Sequence, residues 1–222
     1  MIVVFKRAKL LGVAETYMNS KNYTIETFFP TSIYTCDDVC VDILDDLETS
    51  ANKVREEYGC HRNGALYVDS SHTTASFELK KIAPFDTLTK VIKEHVVNYA
   101  TELGYDLTVN DLHMCNIWFN FSDQGDYNFP HAHAGCDFSG AFYVKANEEN
   151  VLIVYDTLAM MGQYHDTHRD TFLGEQSVHY PLIPGRLMVW RSNTIHATPR
   201  QFLPGEKLVV SFNIGIKRNY DD

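Results

Sequence analysis

The residues best suited to chemistry lie close together in Asn128-Phe129-Pro130-His131-Ala132-His133. In an extended segment successive side chains point to opposite faces, so His131 and His133 point the same way. Two imidazoles on one face are a natural pair of metal ligands. A third must come from elsewhere, and His196 is the candidate, in a stretch just after a hydrophobic run that ends at Trp190. If the three converge on one ion, their ring nitrogens should lie within about 4 Å of each other, because metal–nitrogen bonds are roughly 2.0–2.1 Å. The other histidines are read as surface or hydrogen-bonded imidazoles.

The last strand adds a charge to this cluster. Along Lys207–Ile214 one face is Leu208, Val210, Phe212 and Ile214, and the other is Lys207, Val209, Ser211 and Asn213. A half-exposed strand would turn the second face to water. Alternatively, this face lines the interior beside the metal, where a lysine has no reason to be buried unless an anion meets it. The run from Ser139 to Tyr143 splits in the same way, with Ser139, Ala141 and Tyr143 on one face.

The elements that must hold these residues can be read from periodicity. Val39, Ile43, Leu44, Leu47 and Ala51 fall at helical spacing and predict a helix over 37–58, capped by Asp37 or Asp38. Pro84 precedes a second helix, over 85–103, with Leu88, Val91, Ile92, Val96 and Tyr99 on its apolar face. Residues 23–34 predict a strand kinked at Pro30, and 65–68 and 75–79 are short strand candidates. After Gly104 the character changes to short runs rich in Val, Ile, Phe and Tyr, at 115–121, 139–145, 151–155, 186–191 and 207–216. That rhythm predicts an all-β sandwich or barrel, with the two helices packed outside one of its sheets. The segment 156–180 breaks it and is long enough to expect a functional loop or lid. There is no internal repeat and no linker, so 1–222 is expected to be one domain, with helical support in 1–106 and the β core in 107–217.

Bulk properties limit the partners. The 222 residues are 45% hydrophobic and 22% charged, as in an ordinary globular chain. A net charge of −10 repels a phosphate backbone and weighs against duplex DNA or bulk RNA as substrate. No apolar run approaches the roughly 20 residues that span a bilayer, so no membrane partner is expected. Lys6, Arg7 and Lys9 interrupt the apolar N-terminus, which argues against a secretory leader and for a cytoplasmic protein. Five irregularly spaced cysteines suit reduced thiols in that compartment.

The order of these parts resembles the 2-oxoglutarate/Fe(II)-dependent oxygenases, most closely their prolyl-4-hydroxylase-like branch. The stretches GDYNFPHAHAGCDFSGAFYVK and SNTIHATPRQFLPGEKLVVSFNI, with the early FFPTSIY, are similar to an oxygenase subfamily common in phages and marine bacteria. The resemblance implies a mainly β fold, the double-stranded β-helix or jelly roll, with flanking helices. It implies a hydroxylase that uses Fe(II) and 2-oxoglutarate, acts on a C–H bond of a peptide residue or small molecule, and releases succinate and CO2. It assigns His131 and His196 to iron, and Lys207, eleven residues past His196, to the far carboxylate of 2-oxoglutarate, with Tyr143 as a second contact; the strand alternation adds Ser211, on the face of Lys207, as a helper. Arg200 is the rival anchor, placed nearer the substrate mouth. The departure is at 133, where the superfamily has an acidic residue to complete a two-histidine, one-carboxylate triad. Three arrangements follow: His133 ligates in a three-histidine site, Asp137 swings in as the carboxylate, or the metal has two protein ligands plus water. A cupin-like metalloenzyme, or a non-catalytic metal-binding barrel, would use the same histidines without an inward-facing Lys207.

Overall fold

The structure, a computed structural model, describes residues 31–59, 61–62, 72–73, 79–108, 110–156 and 176–218, together with strands β1 (Glu15–Met18) and β2 (Thr24–Thr27). The chain divides into two units, Met1–Ser32 and Ile33–Asp222. In the first, β1 and β2 pair antiparallel. The second contains the site.

Unit two is built from two antiparallel sheets. β3 (Ile33–Cys36) opens it, followed by α1 (Leu44–Tyr58), the short strands β4 (His61–Arg62) and β5 (His72–Thr73), and α2 (Phe85–Glu102). Then come β6 (Asn110–Ser122), β7 (Asn128–His131), β8 (Phe138–Lys145), β9 (Val151–Tyr155), β10 (Ser177–Pro181), β11 (Leu187–Arg191), β12 (His196–Thr198) and β13 (Lys207–Arg218). The seven-stranded sheet runs β3-β11-β8-β13-β6-β5-β4, and the four-stranded sheet runs β10-β9-β12-β7. This is the mainly β class expected from the strand rhythm, in the jelly-roll form that the resemblance implied.

Both faces of the large sheet are covered, which explains why β8 is buried along all but its last residue. On the outer face Leu208, Val210, Phe212 and Ile214 of β13 join Phe119 of β6, Phe142 of β8 and Leu187 of β11 in one apolar cluster with the helices. α1 contributes Leu47, Ala51 and Val54, and α2 contributes Phe85, Leu88, Ile92, Val96 and Tyr99, each at helical spacing. Phe85 meets Phe119 edge-on, with ring centroids 4.6 Å apart. On the inner face Ala141, Tyr143, Met188, Trp190 and Val209 pack against Leu152 and Val154 of β9, closing the second core between the sheets. Gly140 allows close packing, because a Cβ there would fall on the Phe212 ring.

Some boundaries depart from the sequence expectations. The first helix starts at Leu44 after a 3-10 turn at Val41–Ile43, not at 37. Asp37 does not cap it: its carboxylate takes two hydrogen bonds from Arg186, at 2.5 and 2.8 Å, and Arg186 holds its pKa below the usual carboxylate value. The 23–34 strand is two strands, β2 and β3, and Pro30 lies outside the described residues. So do 65–68, 75–78 and most of 156–180, whose end is the strand β10. Among the described residues no helix is long and apolar enough to cross a membrane.

Candidate metal and cosubstrate site

β7 and β12 lie side by side, and His131 and His196 are direct partners across that pair. Their rings come to 4.4 Å between centroids. β7 ends at His131, and the chain turns, but His133 still comes back to the pair because its N–H donates to the Ser192 carbonyl at 2.8 Å. Its ring sits 5.2 Å from each of the other two. One nitrogen from each of the three histidines lies within 4.8 Å of the others, slightly wider than the roughly 4 Å expected. Among the described residues no other group of His, Cys, Asp and Glu gathers in this way.

The hydrogen bonds show which nitrogens face the centre. Nδ1 of His131 is 2.7 Å from the Phe129 carbonyl, and Nδ1 of His196 is 3.0 Å from the Thr194 carbonyl. A carbonyl only accepts, so each Nδ1 carries the proton and each Nε2 keeps a lone pair. Nδ1 of His133 is 2.8 Å from the side-chain oxygen of Asn213. Its Nε2 is buried and has no hydrogen-bond partner among the described residues. Such an orphan normally costs stability, and a metal ion would satisfy it. Burial and the neighbouring His131 push His196 down to about 3, and the same two causes lower His133. Both rings are therefore neutral near pH 7, the form that ligates. The residues fit a divalent metal held by three imidazole nitrogens.

Lys207 lines the same cavity as the three histidines, Tyr143 and Ser211. It is 5% exposed, and no ion pair to it forms among the described residues. Burial pushes its pKa down to about 8, opposed by Asp126. Tyr143, 2% exposed, has its pKa raised by burial. Ser211 accepts a hydrogen bond from Asn120 at 2.6 Å, leaving its own O–H to donate. The cavity therefore presents an ammonium, a phenol and a hydroxyl beside the imidazole cluster, a donor set suited to an anion that also reaches the metal.

The rival residues lie elsewhere. Arg200 is exposed, with its guanidinium 5.1 Å above the Tyr127 ring. Asp137 is exposed, and its carboxylate accepts the Ile216 N–H at 2.6 Å, away from the histidines. Several neighbours carried no signal in the sequence. Trp118 stacks on His133 at 6.0 Å, and Trp190 packs on His196 at 4.7 Å. Asn213 could have been found from the β13 alternation that places it on the face of Lys207, but its amide has no chemistry of its own to advertise.

Residues 116–213 match a family described as "Putative 2OG-Fe(II) oxygenase". No curated protein matches the chain in sequence. In structure the chain is similar to a prolyl-4-hydroxylase from Pseudomonas putida, with TM-score 0.60 and 12% identity over 86% of this chain and 94% of that one. It is also similar to a viral collagen prolyl hydroxylase of Paramecium bursaria Chlorella virus-1, solved with 2-oxoglutarate, with TM-score 0.54 and 16% identity over 82% and 94%. A third likeness is the epimerase SnoN in complex with Fe3+, alpha ketoglutarate and nogalamycin RO, with TM-score 0.61 and 10% identity over 86% and 82%. The segment that carries all three histidines and Lys207 thus matches the model of the family that the motifs resemble, and the solved structures share its fold. The cofactors of that family, iron and 2-oxoglutarate, suit the donors present.

Proposed function

We propose that this chain is a 2-oxoglutarate- and Fe(II)-dependent dioxygenase that hydroxylates a C–H bond of a peptide residue, prolyl for instance, or of a small molecule. The observation that carries this reading is the pairing, in one cavity, of three imidazoles with a buried lysine that forms no ion pair among the described residues. A cupin-like metal site or a simple metal-binding barrel accounts for the histidines but leaves Lys207 unexplained. When bound, iron and 2-oxoglutarate would activate O2, the oxidant, with 2-oxoglutarate itself oxidised to succinate and CO2.

The protein's own contributions follow from its side chains. His131, His133 and His196 would hold the ion through Nε2 and leave its remaining positions open. Being neutral, they would not offset its charge, and the dianionic cosubstrate would. Lys207 and Tyr143 would take the far carboxylate, with Ser211 beside them. The aromatic walls Trp118 and Trp190 would keep water from the reacting bond. The likeness to two prolyl hydroxylases and to an enzyme solved with nogalamycin RO supports either substrate class. The reading takes the chain as one oxygenase domain.

The experiment is succinate release by the full chain given Fe(II), 2-oxoglutarate and O2, with and without prolyl peptides. Succinate that requires both Fe(II) and 2-oxoglutarate supports the assignment. Metal binding with neither succinate release nor measurable 2-oxoglutarate affinity would move the chain to the metal-binding-barrel class.

A further inference from the structure

A carboxylate ligand needs no tautomer, but a histidine ligand does. His133 can offer Nε2 to a metal only if its proton sits on Nδ1. For His131 and His196 backbone carbonyls force that choice. For His133 the partner is the side-chain amide of Asn213, which can present either an oxygen or an N–H2.

The surroundings of Asn213 decide which. Asn213 is the register partner of Asn116 on β6 and of Ser139 on β8, so the three side chains form a row across the middle of the large sheet. Its N–H2 donates to the Asn116 side-chain oxygen at 2.8 Å. Its oxygen accepts from the Ser139 hydroxyl at 2.7 Å and faces His133 Nδ1 at 2.8 Å. Ser139 in turn bonds the Ser192 hydroxyl at 2.7 Å. Asn213, Ser139 and Ser192 are 6%, 0% and 2% exposed, so water does not compete for these groups. Ser192 also accepts the His133 backbone N–H, which fixes the residue from a second side. Turned over, the Asn213 amide would donate to Nδ1 and drive the proton onto Nε2, where it would block the metal.

We propose that Asn213 is a positioning residue that fixes His133 as its Nδ1–H tautomer and so lets a histidine occupy the place where related oxygenases carry a carboxylate. This rests on the oxygenase reading only for the identity of the metal; the tautomer is a property of the protein without it.

The test compares Asn213→Leu, which removes the acceptor at similar volume, with Asn213→Asp, which keeps it. Asn116 can rotate its amide to donate to the new carboxylate. Two measurements on the full chain are needed: the His133 tautomer by 15N NMR without metal, and the affinity for Co(II) as the probe ion. In the wild type and Asn213→Asp the proton should be on Nδ1, and Co(II) affinity should be retained. In Asn213→Leu, Nε2–H should appear, and Co(II) affinity should fall about 10- to 100-fold, the usual loss when the partner of a ligating histidine is removed. A folded Asn213→Leu with wild-type tautomer and affinity overturns the proposal. So does Nε2–H in the wild type. Should Asn213→Leu fail to fold, the wild type and Asn213→Asp decide, with Nε2–H in either counting against it. A wild type that binds neither Co(II) nor Fe(II) would instead overturn the metal-site reading, while the NMR result judges Asn213 separately.

Discussion

On the outer face of β13, Leu208, Val210, Phe212 and Ile214 meet the helices; on the inner face of the same strand Lys207, Ser211 and Asn213 look toward the histidines. The two rows share one backbone and differ only by the alternation of the strand. The outer row gains free energy by leaving water. The inner row costs it, because it buries a lysine for which no ion pair forms among the described residues. In one strand, then, stability and site chemistry are assigned to opposite faces, and perturbing one face should spare the other.

The sharpest way to break that comparison is to cut one residue from each face. Phe212→Ala should destabilise the fold by about 3–5 kcal/mol, since the ring is fully buried, yet leave metal affinity of the folded protein intact. His196→Ala should do the reverse, abolishing Fe(II)-dependent turnover with a much smaller change in the denaturant midpoint. Equal losses of both properties in both variants would show that the faces are not separable.

Lys207 sharpens it further. Lys207→Ala should weaken 2-oxoglutarate affinity about 10- to 150-fold, the loss of a charge-assisted bond of roughly 1.5–3 kcal/mol. Arg200→Ala, outside the cavity, should change it little, as read from the cosubstrate dependence of succinate release. If Arg200→Ala has the large effect, the anchor is Arg200. Because burial lowers the Lys207 pKa to about 8, affinity should also decline as pH rises above that value and the ammonium is lost.

The same lysine should matter for stability with the opposite sign. Between about 8 and the ordinary value of 10.5 the unfolded chain holds a proton that the folded one has released, so stability rises with pH across that window. Below it the buried charge costs about 3 kcal/mol, taking 1.36 kcal/mol per pH unit. Lys207→Met should therefore raise the melting temperature of the cofactor-free protein at pH 7 while impairing cosubstrate binding. A lower melting temperature would show that the lysine has a stabilising partner.

The smallest effect belongs to the surface. The Lys145–Glu48 pair, 2.6 Å apart, joins an exposed lysine of β8 to a half-buried glutamate of α1, and Glu48→Ala should cost no more than about 1 kcal/mol by chemical denaturation. A larger loss would mean that the pair does more than decorate the outer face.

Much of this was legible in the sequence where a pattern repeats. The alternation along 207–214 and the helical spacing of Leu88, Ile92 and Val96 are local signals, and tertiary structure obeyed them. The histidines were legible because imidazoles at 131 and 133 are an unusual pair in an extended segment. What stayed hidden depends on distant partners. Asp37 reads as a cap until Arg186, far along the chain, takes its carboxylate. β10 is half-exposed to exposed along its length, so it lacked the apolar run by which the other strands were found. Asn213 acquires its role only when β6, β8 and the turn carrying His133 converge on it.

The two tryptophans that line the cavity are the only ones in the chain. Trp118 lies against His133 and Trp190 against His196. All indole fluorescence of the protein therefore arises at the site. An open-shell ion among the histidines would quench it, whereas a closed-shell ion such as Zn(II) would leave it bright. Ultraviolet excitation thus gives an optical gauge of site occupancy that needs neither substrate nor label.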